Sequence, residues 1–143
     1  MIKRLNIPVL LIFMALSPPV FADPELIRLA EQGDRDAQYN LGVTYSKGEG
    51  VPQDYKAAVK WFTFAAEKGL AEAQYNLGVM YRLGAGVILD NVYAHMWFNI
   101  AGSNGVESAA AARDAVANRL TKADLTRAQD LARNCVRKEY KGC

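Results

Sequence analysis

Few side chains in this sequence could ligate a metal or act as a nucleophile. The chain has two cysteines and one histidine among 143 residues, whereas a structural zinc site usually takes four such ligands. We therefore expect no metal site and no cofactor. A penicillin-type serine enzyme carries S-x-x-K, but the residues three positions after the four serines are Val20, Glu49, Val106 and Ala111. The sequence contains no nucleophile of that kind.

The remaining candidates for acid–base chemistry are also weak. His95 has no evident Ser or Cys partner of the kind that a nucleophilic triad needs. It occupies a position where a related segment of the chain has Val59, which indicates packing. Glu49 and Glu72 could form a carboxylate pair for glycan cleavage, but nothing in the sequence fixes their separation. Acidic residues on the surface are the commoner case.

The first 22 residues have the layout of a secretory signal peptide. Two basic residues at 3–4 precede an almost wholly apolar stretch at 7–16, and a proline pair follows at 18–19. The apolar stretch is shorter than the ~20 residues that span a bilayer, which argues against a membrane anchor. We expect cleavage after Ala22 and a periplasmic or secreted mature protein.

Export would place both thiols in an oxidising compartment, where a disulfide is favoured. Cys135 and Cys143 are separated by seven residues, so a bond would fold the carboxyl-terminal tail back onto the last helix. The alternative, a redox-active pair, usually has C-x-x-C at a helix start, and that spacing is absent here. We expect a structural disulfide between Cys135 and Cys143.

The charge pattern excludes a polycationic nucleic-acid binder. The formal net charge is +2, and loss of the basic residues at 3–4 makes the mature chain formally neutral. Basic residues concentrate in 113–143, but acidic residues interrupt them. This favours a solvated helix surface over a membrane-binding tail. We expect no nucleic-acid partner and no membrane contact after signal cleavage.

An internal repeat organises the rest of the chain. The heptapeptide A-Q-Y-N-L-G-V at 37–43 recurs at 73–79, and the alignment continues to give 17 identities in 36 positions. Chance does not produce this many. A shorter echo upstream relates residues 29–33 to residues 65–69. We divide the repeat region, 23–106, into a half unit at 24–36 and full units that begin at 37 and 73 (37–72 and 73–108).

A period of this length is typical of stacked supersecondary units, and the apolar spacing within each unit is helical. The pattern predicts seven helices at about 24–32, 36–47, 54–68, 72–83, 90–103, 107–119 and 122–139, with boundary errors of ~2–4 residues. Asp54 and Asp90 are expected to cap second helices. The interior glycines Gly42 and Gly78 indicate close approach of a partner helix, and we expect Trp61 and Trp97 to pack over them.

The carboxyl-terminal region departs from the repeat. Residues 107–143 lack the A-Q-Y-N-L-G sequence, and Thr121 with Asp124 has the pattern of a helix amino-terminal cap. A stack of repeats needs an end that is polar on its outer side. We predict a helical cap over 107–143 that carries the cysteine pair.

The repeated motif A-Q-Y-N-L-G-x-x-Y-x-x-G-x-G-V-x-x-D-x-x-x-A-x-x-W-F resembles the Sel-1-like repeat family, relatives of the tetratricopeptide repeats. The resemblance implies an all-α, right-handed α/α superhelix whose concave face is built by the first helices. Members of this family typically act as adaptors that bind proteins or peptides. Two full units make a short array, and the cysteines of this chain lie outside the repeats.

The candidate binding residues lie on the first helix of each unit. Their spacing of three and four places them on one helix face, with tyrosines beside them: Asn40, Val43, Lys47 and Tyr39 in one unit, Asn76, Val79, Leu83 and Tyr75 in the next. An Asn amide both donates and accepts hydrogen bonds, which suits the backbone of an extended peptide. The alternative is that each Asn bonds within its own repeat.

The sequence therefore favours an exported adaptor for a protein or peptide partner that the sequence does not identify. The alternative is an envelope enzyme acting on peptidoglycan or β-lactams. That alternative needs a nucleophile or an acid pair that the sequence does not supply.

Overall fold

The computed structural model describes residues 22–143, which form seven α-helices and no β-strand. The helices are α1 (Pro24–Glu31), α2 (Arg35–Lys47), α3 (Tyr55–Glu67), α4 (Ala71–Leu83), α5 (Asn91–Ser103), α6 (Glu107–Ala117) and α7 (Lys122–Arg137). The predicted all-α class is confirmed. The predicted signal peptide lies outside the described residues, apart from Ala22.

The helix starts follow the expected capping residues. Asp54 accepts a hydrogen bond from the backbone N–H of Ala57, and Asp90 accepts from the N–H groups of Val92 and Tyr93. A carboxylate in this place satisfies backbone donors that the first helical turn leaves unpaired. Both aspartates are caps rather than first helical residues, so α3 and α5 begin one residue later than predicted.

The helices stack in chain order. α2 packs on α3 and α4 on α5, while α3 also contacts α4 and α1 contacts α2. α5 contacts both α6 and α7. A cleft of about 520 Å³ separates α6 from α7. Its lining side chains include His95, Arg113 and Gln129. The last helix therefore covers α5 instead of forming a close pair with α6.

The two interior glycines meet phenylalanine rings, not tryptophans. A Cβ atom built at Gly42 would lie 2.7 Å from ring atoms of Phe62, and one at Gly78 would lie 2.7 Å from ring atoms of Phe98. The expectation that Trp61 and Trp97 fill these gaps was wrong. Because successive residues of an α-helix are turned by about 100°, the tryptophan before each phenylalanine points elsewhere.

The repeated aromatic residues differ in burial. Phe62, Phe98 and Trp97 are buried, with exposed fractions of 1%, 0% and 3%. Trp61 is only partly buried, although it occupies the same repeat position as Trp97. Of the two tryptophans, only Trp97 is therefore a buried core residue, whereas Trp61 packs against the edge of a core cluster.

The carboxyl-terminal tail is tied back onto the repeats. Cys135 and Cys143 form a disulfide with their Cα atoms 5.5 Å apart, as predicted. The Tyr140 hydroxyl is 3.2 Å from the side chain of Asn104 at the end of α5, and the N–H of Gly142 donates to Oε1 of Glu67 in α3. The tail thus docks on α3 and α5 as well as on α7.

Candidate peptide-binding face

The first candidate triplet lies along one face of α2. Asn40 and Lys47 are exposed, whereas Val43 is partly buried and packs against the main core cluster. The opposite face of α2 carries the buried Leu41 and Gly42. The helical period therefore separates a packed face from a face that presents Asn40 and Lys47 to solvent.

The second triplet lies along the equivalent face of α4. Asn76 and Val79 are partly buried, and the side chain of Leu83 is 59% exposed. Gly78 meets the Phe98 ring as Gly42 meets the Phe62 ring, so α4 packs on α5 in the same orientation as α2 packs on α3, and each α4 residue faces as its α2 counterpart does. The structure brings each triplet together on one helix, and the two helices share α3 as a neighbour.

The amides of the two asparagines have no internal partner. Among residues 22–143, neither the Asn40 nor the Asn76 side chain takes part in a hydrogen bond with another protein group. Asn40 contributes only its backbone carbonyl, which accepts from the Thr44 hydroxyl at 2.9 Å. A donor and an acceptor therefore remain available on each face.

The flanking tyrosines are part of the contact between paired helices. The Tyr39 ring lies 5.8 Å from that of Phe62, and the Tyr75 ring lies 5.3 Å from that of Phe98, both in tilted arrangements. Aromatic pairs at these distances add to packing. Each tyrosine is partly buried, so its ring supports the helix pair beside the candidate face.

The sequence analysis did not predict an exposed apolar patch that lies next to the second triplet. Ile88 is 89% exposed and Leu89 is 56% exposed, and both follow Leu83 in the turn after α4. The equivalent positions in the first unit are Lys47, Pro52 and Gln53. A position-by-position comparison of the two units would have found this change from polar to apolar residues.

His95 is buried in α5 and lines the cleft between α5, α6 and α7. Its Nδ1 atom has no hydrogen-bond partner within the described part of the chain. Burial lowers the pKa of the imidazole below its ordinary value, the nearby Arg113 lowers it further, and Asp114 opposes these effects. The buried ring is therefore held in its neutral form near pH 7.

The depressed pKa of His95 predicts a loss of stability in mild acid. Below about pH 6.5 the unfolded chain takes up a proton more readily than the folded chain, so the free energy of unfolding should fall as the pH drops from 7 to 5. One such group contributes at most about 1.4 kcal/mol per pH unit. Urea denaturation of the protein and of His95→Gln at several pH values measures this slope. An equal slope in both proteins would contradict the prediction.

Comparison with known proteins places the fold in a family. The family model described as "Sel1 repeat" matches residues 35–70 and 71–106, half of the chain. This chain belongs to the Sel1 repeat family. The resemblance drawn from the repeated motif is confirmed, and the two matched segments contain both candidate triplets.

Two solved structures of Sel1-like repeat proteins are similar to this chain. One is c5321, a protective antigen present in uropathogenic Escherichia coli strains that displays an SLR fold, with a TM-score of 0.78 and 34% identity over 80% of this chain. The other is a Sel1 repeat protein from Oxalobacter formigenes, with a TM-score of 0.58 and 44% identity over 59% of this chain. The match covers 25% of the length of each. No curated protein gives a significant match.

Sel1 repeat proteins are helical-repeat modules for protein–protein interaction and are in general non-catalytic scaffolds. Within residues 22–143 of this Sel1 repeat protein, no group of three or more His, Cys, Asp or Glu side chains could hold a metal ion. In the same part of the chain, none of the helices has the length and apolar character that crossing a bilayer requires.

Proposed function

We propose that this Sel1 repeat protein is an exported adaptor that binds an extended segment of a protein partner, in the cell envelope or outside the cell. The site is the pair of equivalent faces on α2 and α4, with Asn40 and Asn76 holding the backbone of the segment. The observation that carries the proposal is that within residues 22–143 both amides are free of hydrogen bonds to other protein groups while the opposite face of each helix is buried.

The side chains around the two amides suggest what the segment offers. Val43 and Val79 provide apolar contacts next to the amides, and Lys47 and Leu83 lie at the carboxyl ends of α2 and α4. An extended strand exposes backbone N–H and C=O groups along its edge. An Asn side chain can accept from such an N–H through its oxygen and donate to such a C=O through its NH2 group. The apolar Leu83 suits a segment with an apolar residue at that end, whereas the ammonium group of Lys47 is already 3.5 Å from the Glu49 carboxylate.

Export is supported by two features of the chain. The amino-terminal layout of basic, apolar and proline-containing segments at 1–22 is that of a secretory signal peptide. The disulfide between Cys135 and Cys143 is of the kind that persists in oxidising compartments. Together they favour the periplasm or the extracellular space.

The double substitution Asn40→Ala and Asn76→Ala tests the binding face. Peptides selected from a displayed library on the purified protein should bind the variant roughly 5- to 150-fold more weakly, because two hydrogen-bonding amides at about 0.5–1.5 kcal/mol each are lost. Helicity by circular dichroism should not fall, since Ala is a better helix former than Asn. Asn118→Ala, at an exposed position after α6, is the matched control. Peptides that still bind Phe64→Ser are the ones to test, and unchanged affinity of these peptides for the double variant would remove these faces as the site.

A further inference from the structure

A second groove lies away from the asparagine faces, between α1, α2 and α3. It measures about 530 Å³ and is lined by Trp61 and Phe64 of α3 and by Gln38 of α2, among others. The Trp61 and Phe64 rings meet edge to face at 5.7 Å, and Phe64 is 38% exposed. An exposed aromatic pair of this size offers substantial apolar area to a ligand.

The equivalent region one repeat later is covered by the chain itself. Trp97 and Ile100, the counterparts of Trp61 and Phe64, are 3% and 1% exposed. Tyr140 of the disulfide-closed tail packs against the core cluster that contains both of them. Its ring also lies 3.4 Å from the Cβ position of Gly69, the counterpart of Gly33. In the second unit this region is therefore filled by the last helix, through Ala132 and Cys135 of the same cluster, and by a tyrosine presented on the turn that follows that helix.

The hydrogen bonds of the two units differ in the same way. In the second unit the Gln74 amide donates to the Ala66 carbonyl at 3.2 Å, and its Oε1 accepts from Asn104 at 2.8 Å. Asn104 is in turn bonded to the Tyr140 hydroxyl. The Gln74 side chain is thus fully paired where the groove is filled.

The first unit leaves the matching acceptor unpaired. Gln38 donates to the Ala30 carbonyl at 3.1 Å, as its counterpart does, and is only 5% exposed. Its buried Oε1 has no partner within residues 22–143. Lys68, which occupies the position of Asn104, donates instead to the Gly33 carbonyl. Buried acceptors are normally paired, so the unfilled groove and the unpaired oxygen point to the same missing group.

We propose that this groove binds a tyrosine side chain from a partner protein, presented on a turn or tail beside acidic residues. The ring packs against Trp61 and Phe64, and the phenol hydroxyl donates to Oε1 of Gln38. This site is separate from the Asn40 and Asn76 faces and does not depend on them. It gives the adaptor a second, side-chain-specific contact.

The charges at the rim specify the neighbours of that tyrosine. Lys60 replaces the buried Met96 of the second unit, and its Nζ lies 5.2 Å from the centre of the Trp61 ring. Two further lysines, Lys68 and Lys141, line the groove, and the acidic residues that line it are Glu31 and Glu67. The Glu67 carboxylate already accepts a hydrogen bond from the N–H of Gly142. The excess of positive charge favours a segment with carboxylates.

The same charges argue against a second copy of this chain as the occupant. The tyrosine that a second copy could offer on an equivalent turn is Tyr140, which is already held by Asn104 in its own chain. Three basic residues, Arg137, Lys138 and Lys141, surround it with the single acidic Glu139, so the turn would bring net positive charge to the lysines of the groove. Like charges brought together in an interface oppose association.

A peptide titration followed by NMR tests the proposal. The probe is Ac-Glu-Tyr-Glu-NH2 added to the purified protein, and the readout is the indole N–H signal of each tryptophan. We expect the Trp61 signal to shift with the probe while that of the buried Trp97 stays constant. Ac-Glu-Ala-Glu-NH2 should bind about tenfold more weakly or not at all, because it lacks the ring. Ac-Lys-Tyr-Lys-NH2 should also bind more weakly than the acidic peptide.

Two variants assign the response to the groove. Phe64→Ser should abolish the Trp61 response, whereas Ile88→Ser, at an exposed apolar position elsewhere, should leave it intact. Lys60→Glu should reverse the preference between the acidic and the basic peptide. Equal responses to the tyrosine and alanine peptides would overturn the proposal. So would a Trp61 shift that depends on protein concentration alone and disappears in Phe64→Ser, since that would identify a second copy as the occupant.

The outcome is independent of the asparagine faces. Asn40→Ala with Asn76→Ala should leave the Trp61 response unchanged. A response that those substitutions remove would show that the peptide binds along α2 and α4, and it would overturn the groove assignment while supporting the first site.

Discussion

Gly86→Ala is expected to lower the free energy of unfolding by roughly 2–5 kcal/mol. A Cβ atom at Gly86 would lie 2.3 Å from the carbonyl oxygen of Tyr55 and 2.8 Å from the backbone nitrogen of Lys56. These are backbone atoms at the start of α3, so they cannot move aside without shifting that helix. Gly86 also has φ +74°, which adds about 1–2 kcal/mol of strain for a residue with a side chain.

Gly105→Ala separates the two parts of this effect. Gly105 has φ +106°, but a Cβ atom there would meet nothing within 4 Å. Gly105→Ala should therefore lower the free energy of unfolding only by the cost of backbone strain. Urea denaturation followed by circular dichroism gives both free energies, and the difference between the two variants measures the close approach. Equal losses would mean that the turn after α4 does not set how closely the second unit stacks on the first.

The role of Gly86 shows where sequence reasoning stops. The helix predicted over 72–83 ends just before Gly84, and Gly84 does end α4 in the left-handed region with φ 66°. Nothing in the local pattern indicated that Gly86 touches α3, because that contact joins segments about 30 residues apart. Local rules predict caps and helix ends, whereas the stacking of units depends on their relative position.

The tryptophan error has a related cause. W-F occurs as an adjacent pair in both units, so the repeat itself does not distinguish which ring faces the glycine. A shift of one residue turns the side chain by about 100° around the helix, and only the packed structure decides the phase. The prediction of a close helix–helix approach at Gly42 and Gly78 was right, but the identity of the ring was not.

The two candidate sites differ in how much the sequence could predict. The triplets around Asn40 and Asn76 follow from helical spacing alone. The groove at Trp61 depends on where the carboxyl-terminal tail docks, and the spacing of residues in the sequence does not predict that position. A signal was nonetheless present: Met96 and Ile100 in one unit correspond to Lys60 and the exposed Phe64 in the other. Such differences between near-identical units mark places where one unit is covered and the other is open.

Phe98→Ala is expected to lower the free energy of unfolding by about 3–5 kcal/mol, the usual cost of removing a fully buried phenylalanine ring. Phe98 is 0% exposed and lies with Ala94 of α5 and Val116 of α6 in one buried cluster. Phe64→Ala is the matched control, because the same side chain at 38% exposure should cost far less. Chemical denaturation measures both, and a similar cost for the two variants would contradict the assignment of Phe98 to the core.

The double variant tests whether Phe98 and Gly78 fit each other. In the native background Gly78→Ala should destabilise, because its Cβ would lie 2.7 Å from the Phe98 ring and overpacking costs about 1–3 kcal/mol. Once Phe98→Ala has removed the ring, the same change should stabilise by up to about 1 kcal/mol, the helix propensity difference between Gly and Ala. This reversal of sign is specific to direct contact between the two positions. If Gly78→Ala had the same effect in both backgrounds, Gly78 would not be needed to make room for the Phe98 ring. The conclusion that this glycine allows α4 and α5 to pack closely would then be wrong.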